Sequence, residues 1–273
     1  MRNRPKLRVF AWSAAVVAVQ QDGQGVSDGV TVNTPAGEVT VQTRTLINAA
    51  GPFLPHIARM AGVDLPVFSV FQQKIAMPDP LGILPRHAPF TIFLDGQEVA
   101  WRDEERAFWA SDDEYAWLLQ HFPGGLHIRP EGSGDSTWIK LGWAINAQAA
   151  APVWSPQGSP EFPELLLRGV ARFIPGFARY AGRLPQSLVH YGGYYTKTKE
   201  NLPLIGPMGV SGSYVVGALS GYGTMAGCAA GELCAQWVTA STLPNYAEVL
   251  SLARYAQPRY QAAMALLENS GEL

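Results

Sequence analysis

Between Ala15 and Thr43, apolar and polar residues alternate in short runs at 16–19, 29–33 and 38–42, separated by Gly/Asp/Ser and Pro-Ala-Gly segments. Alternation with a period of two places one set of side chains on one face of a strand, so this stretch predicts a small antiparallel meander. The apolar run 45–50 follows, closed by Gly51-Pro52 and then by helical spacing at Phe53, Ile57, Met60 and Ala61, with Gly62 as the stop. A strand, a small-residue turn and a helix in that order make an α/β unit. From about 67 to 191 the pattern turns to strand-like pieces at 70–77, 91–94, 107–110 and 138–144, which predict an antiparallel sheet. Residues 161–174 show helical spacing at Leu165, Leu166, Val170 and Phe173, closed by Pro175-Gly176, and predict a helix over one sheet face. The last part returns to α/β character, with an apolar strand at 214–219, a turn at Ser220-Gly221-Tyr222-Gly223 and a lean helix at 224–238 carrying Ala226, Gly227, Ala229, Ala230 and Gly231. The fold class expected is α/β plus an antiparallel sheet.

Composition narrows the classes. Twenty Lys+Arg against 22 Asp+Glu give the 273-residue chain a net charge of −2, which argues against a nucleic-acid binder needing a basic surface. With 47% hydrophobic and 15% charged residues there is ample material for a buried core. No uninterrupted apolar run reaches the roughly 18 residues of a membrane span, since Glu232 breaks the best candidate. Cys228 and Cys234 sit about 120° apart on a helix, which disfavours their pairing, and no Cys/His set has zinc spacing, so no metal is expected. A reducing, cytoplasmic setting is the default. The start, where Arg2, Arg4, Lys6 and Arg8 precede the apolar stretch 9–19, also fits a targeting signal; the plainer alternative is a strand.

Gly221-x-Gly223-x-x-Ala226, after a strand and opening a helix, formally matches the dinucleotide fingerprint, but no second strand with an acidic ribose ligand follows. A helix N-terminus after two glycines still offers N–H groups to a ligand carbonyl and favours negative charge. The other reading is an ordinary tight strand–helix turn.

Four separated motifs carry a resemblance: Leu46-Ile47-Asn48-Ala49-Ala50-Gly51-Pro52, Trp138-Ile139-Lys140-Leu141-Gly142-Trp143, the run 195–207 with Lys199-Glu200-Asn201-Leu202-Pro203-Leu204-Ile205-Gly206-Pro207, and Gly217-Ala218-Leu219-Ser220-Gly221-Tyr222-Gly223. In this order they resemble the D-amino-acid oxidase/sarcosine oxidase superfamily of FAD-dependent amine oxidoreductases over residues 15–240. The resemblance implies a partial FAD-binding, glutathione-reductase-like domain at 1–66, an inserted antiparallel substrate domain at 67–191, and a return to the FAD-binding domain with C-terminal helices at 192–273. Family members begin with a βαβ unit bearing G-x-G-x-x-G. Residues 1–14 are too few for one, which takes ~30 or more residues, so the chain is expected to represent the C-terminal two-thirds of a flavoenzyme. FAD would then bind weakly or not at all, because each lost charge-assisted phosphate contact is worth ~1.5–3 kcal/mol. Gly193 aligns where some members carry a cysteine linked to FAD, which implies a non-covalent cofactor.

The resemblance also assigns residues. Lys140 aligns with a lysine that assists reaction of reduced flavin with oxygen, and a fixed cation suits developing negative charge; the alternative is a sheet lysine reaching solvent. Gly221, Tyr222, Gly223 and Thr224 are cofactor contacts, and Asn48, Ala49, Ala50 and Gly51 approach its adenosine side. Met225 stands where sarcosine-type enzymes use a substrate-binding lysine, which makes a larger or less acidic amine conceivable. Tyr191, Tyr194 and Tyr195 are candidates to line the substrate side, packing being the alternative for each. Arg129 is a carboxylate partner or a solvated loop arginine. His121, His127 and His190 read as structural. The function expected is oxidation of a C–N bond in an amine or amino-acid-like small molecule, with electrons passed to oxygen or another acceptor. The alternative is a catalytically inactive, flavoprotein-like domain acting in ligand or partner binding.

Overall fold

The computed structural model describes residues 13–266. They form two compact units, one from residues 13–68 and 196–266, the other from Ser69–Tyr195.

In the first unit, β1 (Ala15–Gln21), β2 (Ser27–Thr34) and β3 (Gly37–Gln42) form the antiparallel meander read from the alternation. Asp22 closes the first turn by accepting from the backbone N–H groups of Gln24 and Val26 at 2.8 and 3.0 Å. The apolar start read as a signal or a strand divides here: residues 15–19 are in β1, and 1–12 lie outside the described residues. A second sheet has the order β10 (Leu204–Pro207), β11 (Ser213–Gly217), β4 (Leu46–Asn48), with β11 antiparallel to β10 and parallel to β4. Both faces are covered, as a sheet with parallel pairing requires. On one, α1 (Leu54–Met60) buries Leu54 and Ala58 against Leu204, Met208 and Val215; on the other, α4 (Gly223–Val238) buries Ala230, Leu233 and Cys234 against Ile205. Gly217 makes the first packing possible, since a Cβ there would lie 2.2 Å from Leu54 Cδ1. Arg254 and Tyr255, with Tyr260 on α5 (Pro258–Ala265), surround the Glu200 carboxylate.

The second unit is built on a five-stranded sheet ordered β6 (Thr91–Phe93), β7 (Leu126–Pro130), β8 (Trp138–Trp143), β5 (Phe68–Pro78), β9 (Val189–Lys197). Its inner face packs Ile75, Met77, Ile139, Leu141 and Trp143 against α3 (Phe162–Phe173), which contributes Phe162, Leu165, Leu166 and Val170. Gly169 lets helix and sheet close up, because a Cβ would stand 2.6 Å from the Trp143 ring.

One expected strand is wrong. Residues 107–110 belong to α2 (Asp103–Ala110), whose first turn carries Asp103, Glu104 and Glu105. The Glu105 carboxylate accepts from the Arg102 backbone N–H at 2.8 Å and from both Arg102 and Arg168 guanidinium groups at 2.9 Å. Burial pushes Glu105 up, but these bonds outweigh it and hold the carboxyl down to about 2. A charged start to the helix, held by a partner 63 residues away, overrides the β-propensity of Phe108 and Trp109. Among the described residues no helix is long and apolar enough to cross a membrane.

Candidate functional site

Because β4 and β11 run parallel in register, Leu46 beside Ser213 and Asn48 beside Val215, their following turns lie at one end of the sheet, where open α/β sheets bind ligands. After β4, the Asn48 side chain holds the turn: Nδ2 donates to the Leu54 carbonyl at 2.9 Å, and Oδ1 accepts from the Ala50 N–H at 3.3 Å. Its polar atoms thus fix the backbone of Ala49, Ala50 and Gly51, the last at φ +55°. After β11, Ala218, Ser220 and Gly221 have φ of +56°, +39° and +87°. Left-handed backbone costs a non-glycine residue about 1–2 kcal/mol, and such outliers concentrate at ligand sites. The turn is anchored by the Ser220 N–H donating to the Thr196 carbonyl at 3.1 Å and by the Tyr222 hydroxyl donating to the Asn201 carbonyl at 3.3 Å. Burial raises the Tyr222 phenol, which stays protonated as a donor.

The turn also leaves polar groups uncommitted. Ser220 Oγ and Asn201 Oδ1 are buried with no partner among the described residues. The first intrahelical bonds of α4 run from Met225 and Ala226 to the Tyr222 carbonyl, and no side chain caps the helix, so the Gly223 and Thr224 N–H groups precede the ladder. These donors fit the carbonyl-bearing edge of a ring system such as a flavin. Met225 is 82% exposed, a solvent-facing side chain on the first turn of α4.

In the second unit, the sheet face turned away from α3 gathers a different chemistry. Register puts His127, Gly142 and Lys74 in one row, and Arg129, Lys140 and Ala76 in the next. The Lys140 ammonium lies 5.7 Å from the Tyr191 ring centroid and the Lys74 ammonium 5.7 Å from that of Tyr195. The candidates Lys140, Tyr191, Tyr195 and Arg129 thus lie on one face. Arg129 is in β7, not in a loop, and already pairs with Glu131 at 2.7 Å, a local partner that takes up its charge. Tyr194 faces the other way, as the strand period demands. Its hydroxyl accepts from the Val153 N–H at 3.0 Å and its ring tilts against Phe71, which makes it a loop anchor.

Two residues join this face that the motifs did not single out for it, Lys74 and His127. Burial lowers the Lys74 pKa, and the charges of Lys140 and Arg129 lower it further. Burial likewise lowers His127, with Lys74, Lys140 and Arg129 adding to it against the Gly125 hydrogen bond. Neither Lys74 nor Lys140 pairs with a carboxylate among the described residues. The available signal was a lone lysine inside the strand run 70–77, which a solvent-facing residue on a half-buried strand explains equally well. His190 instead bonds Gln73 at 2.9 Å and stacks on Phe162 on the inner face, which is a structural role.

A family model described as FAD dependent oxidoreductase matches residues 9–237. The chain belongs to that family. Among solved structures it is similar to L-proline dehydrogenase from P. horikoshii, with a TM-score of 0.61 and 19% identity over 89% of this chain and 54% of that one. Glycine oxidase from Geobacillus kaustophilus gives 0.58 and 16% over 88% and 51%, and fructosamine oxidase from Aspergillus fumigatus 0.54 and 13% over 86% and 49%. At these identities the likeness establishes the fold, an FAD-binding type with an antiparallel partner unit. The chain spans about half the length of these structures. A comparison with curated protein sequences finds no significant match.

Proposed function

We propose that the protein takes part in the oxidation of a C–N bond in an amine or amino-acid-like substrate, using non-covalently held FAD. The observation that carries the reading is the convergence, on one sheet face, of Tyr191 and Tyr195 with two ammonium groups that have no carboxylate partner among the described residues, in a chain belonging to the flavin family. When bound, the flavin supplies the two-electron acceptor that no side chain provides. In the first unit, the Gly223 and Thr224 N–H groups and the Ser220 hydroxyl would hold its ring edge. In the second, Lys74 and Lys140 suit an anionic group on the substrate, and the tyrosine rings limit the rotation of both ammonium groups. Lys140 has a second role toward oxygen, where a fixed positive charge stabilises negative charge developing on the acceptor. The substrate loses two electrons and two protons overall to become an imine, which water converts to a carbonyl compound and ammonia, or an amine where the nitrogen is substituted.

The test is to titrate the purified chain with FAD, follow the visible flavin bands, and assay peroxide release across a panel of amines. A flavin-loaded protein that releases peroxide supports the reading. A colourless protein, inert with every amine, would refute it in favour of a binding domain. In the loaded protein, Lys140→Met is expected to slow flavin reoxidation by tenfold or more, on the order of the effect of one preorganised charge; unchanged stopped-flow kinetics would remove the oxygen role.

A further inference from the structure

We propose that the substrate carries two anionic groups, one set against Lys140 and the other against Lys74, which makes the protein selective for an amino diacid over an amino acid with a single acidic group. This inference rests on the C–N oxidation above and names the substrate class of that site.

The register concentrates positive charge. Arg129 stands directly opposite Lys140 across β7 and β8, and Lys74 lies diagonally from Lys140, opposite Gly142. Like charges directly opposite on paired strands destabilise a sheet, so this arrangement calls for compensation. Among the described residues Glu131, which pairs with Arg129, is the one carboxylate in contact with any of the three cations. His127 on β7 adds no charge at neutral pH, since burial and the neighbouring cations lower its pKa. The face is left with two positive charges, those of Lys74 and Lys140, that no side chain answers.

The tyrosines hold these two charges apart. The Lys74 stem packs over Gly142, where a Cβ would stand 3.0 Å from Lys74 Cγ, and its ammonium ends 5.7 Å from the Tyr195 ring centroid. The Lys140 ammonium ends 5.7 Å from the centroid of Tyr191. Both tyrosines are on β9, four residues apart, which is about 13 Å along a strand. Ammonium groups drawn to separate rings suit two acidic groups joined by a short chain better than one carboxylate shared between them. Between the rings, and on their face by the period of two, is Gly193, where an added Cβ would meet nothing within 4 Å. Ala76, opposite Lys140, adds only a methyl. There is thus room beside the tyrosine-held ammonium groups, and it is open to solvent: Lys74 and Lys140 are only half-buried, and Tyr191 is 38% exposed. A substrate with one acidic group leaves one of the two cations unanswered; a diacid answers both.

Binding is read without turnover. The full chain is titrated calorimetrically with adipate and with hexanoate, which match in length, differ in the second carboxylate and have no amine to oxidise. Adipate is expected to bind about tenfold more tightly or better, the scale of one added charge-assisted contact. Lys74→Met is expected to bring adipate down to the level of hexanoate while leaving hexanoate little changed, and Lys74→Arg to keep the preference. Circular dichroism checks that the variants are folded, and Lys74→Gln, which keeps part of the stem, serves the same readout if the methionine variant is not. Equal binding of the two acids, no binding of either, or a preference that survives loss of the Lys74 charge overturns the proposal. In the flavin-loaded enzyme, kcat/KM for 2-aminoadipate is expected to exceed that for norleucine, which has a methyl in place of the second carboxylate, by about tenfold through KM, and Lys74→Met to remove the difference. A protein that oxidises the two amino acids equally keeps the proposed function and loses this assignment. One that binds adipate through Lys74 yet oxidises no amine loses the function and keeps the two-anion site.

Discussion

Replacing Arg254 with methionine tests the electrostatics at the heart of the first unit. Arg254 is buried, with 1% of its side chain exposed, and its partner Glu200 has 4%. The guanidinium donates to Glu200 Oε1 through Nε and Nη2 at 3.0 and 2.6 Å, and to the Pro203 carbonyl at 2.6 Å. Tyr255 and Tyr260 also donate to Oε1, each at 2.6 Å. Removing one partner of such a pair strands the other charge, at a cost of about 3–5 kcal/mol. For a domain of this size that shifts Tm by roughly 6–20 °C. The pH dependence gives a sharper check. Burial pushes the Glu200 carboxyl up, but hydrogen bonds from Tyr255, Tyr260 and Arg254 outweigh it, so the folded-state value lies below the unfolded one. The pair's stabilisation is therefore complete above the unfolded pKa, ~4.3, and fades as pH falls through the folded value. In Arg254→Met the Tyr255 and Tyr260 hydrogen bonds remain but the guanidinium's is lost, so the folded-state value of Glu200 rises relative to wild type. The stability gap between wild type and variant should narrow between about pH 7 and pH 3.5, chiefly below the unfolded value of ~4.3. Adding Glu200→Gln to Arg254→Met should recover part of the loss, making the two substitutions non-additive. Urea unfolding followed by circular dichroism at both pH values measures all three quantities. A cost below about 1 kcal/mol, the level of an exposed pair, or a gap unchanged by pH, would refute the reasoning.

Two further substitutions probe the packing. Gly217→Ala places a methyl 2.2 Å from Leu54 Cδ1, so α1 must move off β11; overpacking of this kind costs about 1–3 kcal/mol, measurable by thermal unfolding, and a neutral result would mean that α1 is free to shift. Tyr180→Phe removes a hydroxyl that donates to buried Asp79 Oδ1 at 2.5 Å and that burial and Asp79 push up to about 12. The loss expected is about 1.5–3 kcal/mol, as for a hydrogen bond to a charged group, and urea unfolding at neutral pH checks it.

The two α/β segments, the meander and the helix over the sheet were legible because each is a local pattern: period two at 16–19 and 29–33, and helical spacing at Leu165, Leu166 and Val170. The misreading at 107–110 has a non-local cause, since the carboxylate at the helix start is held by Arg168 on another helix. β7 was missed for a similar reason: Leu126 and Ile128 are buried only because α3 covers them, and a five-residue strand bounded by glycines looks like a loop until its neighbours are known. The lean turn at 218–224 was readable from its glycines, whereas the left-handed backbone at Ala218 and Ser220 was not, because neither residue prefers it and only the surrounding hydrogen bonds enforce it.

By itself the sequence determined the family, through motifs whose order survives without any knowledge of contacts, and it determined which strands and helices those motifs lie on. Only the tertiary structure decided which chemistry-bearing residues meet. Lys74, His127 and Lys140 come from three strands, and they share a face because the register sets Gly142 between two of them. A shift of one residue in either ladder would send one of these side chains to the α3 side. Register is fixed by the whole core beneath the sheet, which is why no local reading of the chain contains it.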